Sequence, residues 1–256
     1  MIMKRYDLID TLRGLAVISM IFYHACWIMN HFGIAVSSET LYGPMFIAWE
    51  RSICIPFILI AGFSFSFGRH HVRTGLMLFG IGAAITVGTC LFLPQIRIVF
   101  GILTFIGTAT LLMIPVDKIA GRLRLKYRWL YTVSFIVLLI LFLLSYNINK
   151  GYLGFMPQPG VKLPQVMYKG YVATFVGFME PGFFSTDYFS VLPWFFLYMC
   201  GYFLNRMIIG TWFAEAVLTK GIKGVKAIGR HSLLIYLIHP IVLYLIFFLM
   251  SRNVLF

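Results

Sequence analysis

Residues Thr11–Trp27 read T-L-R-G-L-A-V-I-S-M-I-F-Y-H-A-C-W, an apolar run of membrane length that carries two ionisable side chains, Arg13 and His24. Asp10 stands just before it. Along an α-helix, the separation of Arg13 and His24 is three turns and a little more, so both lie on one face, about 16 Å apart along the axis. An ionisable group at membrane depth is costly, and its presence points to function. One helix thus places a cation near one membrane surface and an imidazole deeper on the same stripe.

The rest of the chain agrees with a membrane reading. Of its 256 residues, 61% are hydrophobic and only 11% charged, and the mean hydropathy is +0.91. A soluble domain would carry about 25% charged residues. The expectation is an all-α polytopic membrane bundle, a single domain over residues 1–256. In a soluble protein the formal charge of +13 would suggest nucleic acid. Here basic loops that orient membrane helices account for it, so the bilayer is the expected partner and nucleic acid is not. Cys26, Cys54, Cys90 and Cys200 sit inside apolar runs without a spaced framework, which indicates neither disulfides nor a metal site. The N-terminus has basic residues before an apolar stretch, as a signal peptide does, but no small-residue cleavage site follows. It reads as a retained first helix.

Seven spans are expected, over Leu12–Asn30, Met45–Phe67, Gly75–Leu93, Ile98–Pro115, Trp129–Tyr146, Tyr188–Phe203 and Ser232–Met250. Gly80, Ala84 and Gly88 form a small-residue stripe in the third, expected to pack closely on a neighbour. With these spans, 15 of the 21 Lys and Arg residues fall on the side of the N-terminus and 6 on the other. That split puts the N-terminus in the cytoplasm and, with an odd number of spans, the C-terminus outside. The long outer loop Asn147–Asp187 is rich in Gly, Pro and aromatics, and a loop of that length is usually functional or disordered. Its apolar stretch Tyr168–Met179 is too short to span and reads as interfacial or re-entrant.

The chemistry-bearing positions each admit two readings. His24 is either a buried histidine bonded to a neighbouring helix or a general base or nucleophile, a role that suits a side chain titrating near neutrality. Arg13 is a topology anchor or an anion ligand, with Asp10 as its partner at i, i+3. The last span opens G-R-H-S-L-L-I-Y-L-I-H-P, Gly229–Pro240, and puts His239 at a depth comparable with His24. His239 either covers a carbonyl freed by Pro240 or works with His24. Glu50 and Arg51 are adjacent on a helix near the outer surface, so each is expected to have a different partner. Asp187 is a helix N-cap or, beside Tyr188, Phe189 and Trp194, a ligand-binding carboxylate. The basic run Lys118–Arg128 is a topology signal, or a site for a phosphorylated donor.

Several strings, taken in order, carry a resemblance. They are I-D-T-L-R-G-L-A-V-I-S-M-I-F-Y-H, R-S-I-C-I-P-F-I-L-I-A-G-F-S, F-G-I-L-T-F-I-G, D-Y-F-S-V-L-P-W and G-R-H-S-L-L-I-Y-L-I-H-P, spread over nearly the whole chain. Together they resemble the heparan-alpha-glucosaminide N-acetyltransferase catalytic-domain family and its small bacterial relatives. The Arg13–His24 spacing is similar to the arginine–histidine motif of acyltransferase-3 membrane enzymes. The resemblance implies a multi-pass protein of the plasma or bacterial inner membrane. Such a protein moves an acyl group, acetyl above all, from cytoplasmic acyl-CoA to a carbohydrate or other small hydroxyl or amine acceptor at the outer face.

On that basis the catalytic residues are His24 and His239. Arg13 and Asp10 serve the acyl-CoA, and Arg51 and Asp187 the acceptor; Glu50 and Trp194, read from their own positions beside these, are placed with the acceptor as well, and the cysteine pattern gives no metal to expect. The sequence departs from the small bacterial pattern at Ile28, where an acidic residue is usual, at Thr104, where histidine is usual, and at His31, where an aromatic is usual. Two further classes use the same residues: a non-catalytic carrier or binding protein for a small anion or lipid, and a structural subunit with a buried polar network. The absence of an internal repeat counts against the carrier. Oligomeric state, a homodimer included, is not set by the sequence.

Overall fold

The computed structural model describes residues 6–122, 128–155 and 160–254. Lys4, Arg5, Arg124 and Lys126 of the basic set lie outside the described residues. Among the described residues the chain is a helical membrane bundle. Its long helices are α1 (Asp7–His31), α3 (Pro44–Phe65), α4 (His71–Phe92), α5 (Ile102–Arg122), α6 (Arg128–Ser145), α8 (Val191–Ile208) and α10 (Ser232–Val254). Shorter helices are α2 (Ser38–Leu41), α7 (Gly170–Val176) and α9 (Lys223–Arg230). A two-residue antiparallel hairpin, β1 (Tyr152–Leu153) and β2 (Val161–Lys162), sits in the long loop.

Among the described residues, six helices are long and apolar enough to cross a membrane: α1, α3, α4, α5, the helix beginning at Arg128, and α10. Twenty-two helical residues rise about 33 Å, which matches a hydrocarbon core of about 30 Å. The expected span Tyr188–Phe203 is not among the six. It corresponds to α8, which runs from Val191 to Ile208 and includes Asn205 and Arg206 near its end. Leu192 interrupts it with φ −95° and ψ 134°, as a residue before proline favours. Pro193, Trp194, Leu197, Tyr198 and Asn205 of α8 are buried, so it is covered by protein where the other spans present apolar side chains outward.

Other expectations are corrected too. The fourth span, expected at Ile98–Pro115, is α5 over Ile102–Arg122. Its start is delayed because the amides of Ile98 and Val99 are held by Thr89 Oγ1 and Ser185 Oγ, and Phe100 takes φ +56°. Pro115 lies inside the helix. Among the described residues the Gly80–Ala84–Gly88 stripe is not closely packed at its glycines: a Cβ on Gly80 or Gly88 would find nothing within 4 Å. The close approach between α4 and α5 is made by Gly75, Gly82 and Gly107 instead, where a Cβ on Gly82 would stand 2.3 Å from Thr104 Oγ1. The Tyr168–Met179 stretch forms the two-turn helix α7 and an irregular exit.

The chain divides into two compact units, Met1–Ile60 with Ile208–Phe256, and Ala61–Met207. The core of the first is Val17, Met20 and Ile53, packed with Trp49, Phe57, Ile228, Ile235 and Tyr236. In the second, α5 is the most buried span, half of its apolar window lying inside the protein.

Candidate functional site

In the first unit, α1 meets α9 and α10 at two places. At the start of α1, Asp7 and Asp10 occupy the first turn, where the positive end of the helix dipole favours carboxylates. Three residues apart, they project to one side. Lys226 and Arg230 are four apart on α9 and face them. Lys226 Nζ and Arg230 Nη2 both donate to Asp7, the latter at 2.9 Å. Arg230 Nε donates to Asp10 Oδ2 at 3.2 Å, and Arg13 Nη1 to Asp10 Oδ1 at 3.4 Å. Thr11 Oγ1 accepts from Ile222 N at 3.1 Å. Asp10 is only 5% exposed, so it is a buried carboxylate that needs cations around it.

Glycines allow this contact. A Cβ on Gly229 would lie 1.8 Å from Asp10 O, and one on Gly14 would lie 2.1 Å from Val225 O. The L-R-G and G-R-H strings at opposite ends of the chain therefore touch each other. Each supplies an arginine to Asp10 and a glycine to the crossing.

Farther along α1, His24 Nδ1 is 2.7 Å from His239 Nε2 on α10. The two rings are nearly parallel, 12° apart. His239 Nδ1 is 2.8 Å from Ile235 O. A carbonyl only accepts, so His239 Nδ1 carries hydrogen. In a neutral pair His239 Nε2 is then the acceptor, His24 Nδ1 donates to it, and the lone pair of His24 is left on Nε2. Among the described residues no side chain or backbone group is recorded at His24 Nε2. His239 thus covers a carbonyl with one nitrogen and meets His24 with the other, in the turn that Pro240 interrupts. It is 7% exposed, whereas His24 is partly exposed.

Aromatic rings gather beside His24. Tyr23 packs edge-on against Trp49 at 5.5 Å and near Phe46 at 5.9 Å, while Trp27 meets Tyr42 at 5.5 Å. Trp49 Nε1 donates to Ser19 Oγ at 2.8 Å, which fixes α3 on α1. Glu50 and Arg51 depart from expectation. They pair with each other, Nη1 to Oε1 at 3.1 Å, because two long side chains can bend together even from adjacent helical positions.

The remaining candidates lie in the second unit. Asp187 Oδ2 accepts from Ile102 N at 3.1 Å and so caps α5, a helix distant in sequence. Trp194 is 3% exposed and packs with Phe142, Tyr146 and Phe189 as a core residue. Thr104 is buried against Gly82. His31 lies beside Phe32 and Tyr244 in the first unit.

The structure brings His24 and His239 together, and Asp10 with Arg13. Asp7, Lys226 and Arg230 complete the second group and were not expected. The complementary spacings, i, i+3 for the carboxylates and i, i+4 for the cations, were their one visible signal. Among the described residues no cluster of His, Cys, Asp and Glu could hold a metal ion.

One protein-family model, described as heparan-alpha-glucosaminide N-acetyltransferase, catalytic, matches residues 5–241. No curated protein and no solved structure gives a significant match.

Proposed function

The chain belongs to the heparan-alpha-glucosaminide N-acetyltransferase catalytic family, and from that premise we propose that it is an acyl-CoA-dependent membrane acyltransferase with His24 as its general base. Family membership and six apolar helices make it an integral membrane transferase. The reading for this chain is transfer of an acetyl group from cytoplasmic acetyl-CoA to a sugar-like hydroxyl or amine at the outer face of a cell membrane. The excess of basic residues near the N-terminal side supports that orientation.

The observation that carries the mechanism is the chain Ile235 O, His239, His24. It favours a lone pair on His24 Nε2 and holds the ring in place, as a carboxylate orients the histidine of a serine protease triad. The acceptor O–H or N–H gives its proton to His24 Nε2 as its oxygen or nitrogen forms a bond to the thioester carbonyl carbon. The C–S bond then breaks, and the leaving thiolate takes that proton, so the products are acylated acceptor and free CoA. His239 is a positioning residue that stabilises charge on His24 during transfer. Arg13 lies about 16 Å from His24 along α1, a distance an extended pantetheine arm can cover, and would serve a phosphate of the donor. Asp10, between Arg13 and Arg230, orients those cations. The rings of Tyr23, Trp27 and Trp49 offer apolar faces to a sugar acceptor.

The test is transfer of labelled acetyl from acetyl-CoA to a panel of amino sugars and polyols by the protein in proteoliposomes. His24→Ala should abolish transfer and leave donor binding intact. Donor-independent movement of an anion across the membrane, lost in the same variant, would support a carrier in its place.

A further inference from the structure

A second polar region lies in the other unit, where α4 begins and α5 nears its end. An open cavity of about 730 Å³ is lined by Arg69, His70, His71, Arg73 and Lys118 with Val72, Leu76 and Ile114. Arg69, His70, Arg73 and Lys118 are exposed. The His71 ring is stacked on Phe65 at 3.9 Å and 11°. Among the described residues none of these five has a carboxylate partner. Asp117, the neighbour of Lys118, is engaged elsewhere by Arg206 Nη2 at 2.9 Å and by the Tyr202 hydroxyl. His70, at the N-cap of α4, makes no side-chain hydrogen bond to the first turn of that helix.

We propose that this cavity binds a phosphate ester, and that its source is the headgroup of an anionic phospholipid. Three uncompensated cations converge on one opening, which fits a phosphate better than a single carboxylate. The choice of a lipid rests on what lies below the charges. Val72 and Leu76, 56% and 57% exposed, are one turn apart on a helix apolar enough to span the membrane, and so continue the cavity as an apolar strip. A ligand filling both parts carries an anionic head and an apolar tail. The site shares no residue with the histidine pair and does not depend on the transfer reaction.

The test uses the full chain purified in detergent, with phosphatidylglycerol, phosphatidylcholine and inorganic phosphate as probes. Thermal unfolding gives the half-saturating concentration, and native mass spectrometry gives retained lipid. Phosphatidylglycerol should raise the melting temperature and be retained, and the other two should do neither. In Arg69→Gln/Arg73→Gln/Lys118→Gln the half-saturating concentration should rise about a hundredfold, at roughly fivefold for each charge lost near a lipid surface. Lys150→Gln/Lys162→Gln, equally exposed but elsewhere, should leave it unchanged.

If the triple variant aggregates, Lys118→Gln alone should give about a fivefold rise. Equal retention of both lipids, an unchanged triple variant, or an equal loss in the control pair would overturn the proposal, since binding would then be general to the membrane surface. A stabilisation reproduced by inorganic phosphate at the same concentration would assign the site to a free phosphate compound and reject the lipid.

Discussion

Replacing Gly229 by alanine tests the contact on which the first unit is built. The added Cβ would stand 1.8 Å from Asp10 O, 2.8 Å from Asp10 C and 2.9 Å from Gly14 N. All three are backbone atoms that cannot rotate aside. An ordinary contact needs 3.4 Å or more, so α9 must retreat from α1 by about 1.5 Å, well beyond what soft packing absorbs. That shift stretches the Arg230–Asp10 hydrogen bond from 3.2 Å past the useful range and loosens the partner of a carboxylate that is only 5% exposed. Overpacking costs about 1–3 kcal/mol, and a backbone clash belongs at the upper end. With roughly 2–4 °C lost per kcal/mol for a chain of this size, the melting temperature should fall by about 6–12 °C. Gly224→Ala is the control, since it lies on the same helix with nothing within 4 Å of its Cβ. It should melt at or slightly above the wild type, because alanine favours helix by about 0.5–1 kcal/mol. Tryptophan-monitored unfolding of the detergent-purified proteins measures both. If the two variants melt together, the close crossing of α1 and α9 is wrong.

Three other perturbations separate roles. His239→Phe should lower kcat by roughly 10²–10³-fold, within the usual reach of general-base catalysis, with KM unchanged; His239→Gln keeps an oxygen to accept from His24 and should recover part of the loss in steady-state assays. Asp187→Ala removes the cap on Ile102 N and should cost about 1 kcal/mol, with Asp187→Asn restoring the melting temperature. A raised KM for the acceptor at unchanged stability would make Asp187 a binding residue instead. Burial pushes the Tyr168 phenol above its ordinary value, and the neutral hydroxyl donates to Ile148 O at 2.6 Å. The folded state holds this proton more tightly than the unfolded, so Tyr168 contributes fully below about pH 10 and loses that contribution as pH rises through its folded value. The stability difference between wild type and Tyr168→Phe should therefore shrink above about pH 10; a difference constant with pH would contradict it.

What the sequence conveyed and what it withheld divide along physical lines. Apolar runs and their lengths located the long helices, because membrane spans are set by hydropathy and bilayer thickness. The face shared by Arg13 and His24, and the matching depth of His239, located the histidine pair before any contact was known. Helix α8 starts later than its apolar run suggests, because Leu192 before Pro193 is extended. Its burial within the protein shows at Asn205, whose side chain donates to Phe63 O at 2.9 Å. The glycine stripe failed for another reason: four-residue spacing marks a face, but only the neighbour decides whether that face is used, and α5 approaches at Gly75 and Gly82. Asp187 capping α5 and Glu50 bonding Arg51 depend on side-chain reach and on loop geometry, which local patterns do not encode.

The least legible feature is also the one that gives the motifs a shared cause. L-R-G and G-R-H lie at opposite ends of the chain, and neither explains its own glycine. Placed together, each glycine is where the other helix's backbone passes, and both arginines bind Asp10. A substitution at any of Arg13, Gly14, Gly229 or Arg230 therefore acts on the same crossing. From that crossing α1 continues toward His24, while α10, which follows α9 after His231, continues toward His239. The 2.7 Å contact between His24 Nδ1 and His239 Nε2 is thus set partly by a packing contact about three helical turns away along α1. Loss of transfer on mutating a motif arginine would not by itself identify a donor ligand. Donor affinity and the melting temperature have to be read in the same variant: a residue that serves only the crossing moves both, and one that holds the donor moves affinity alone.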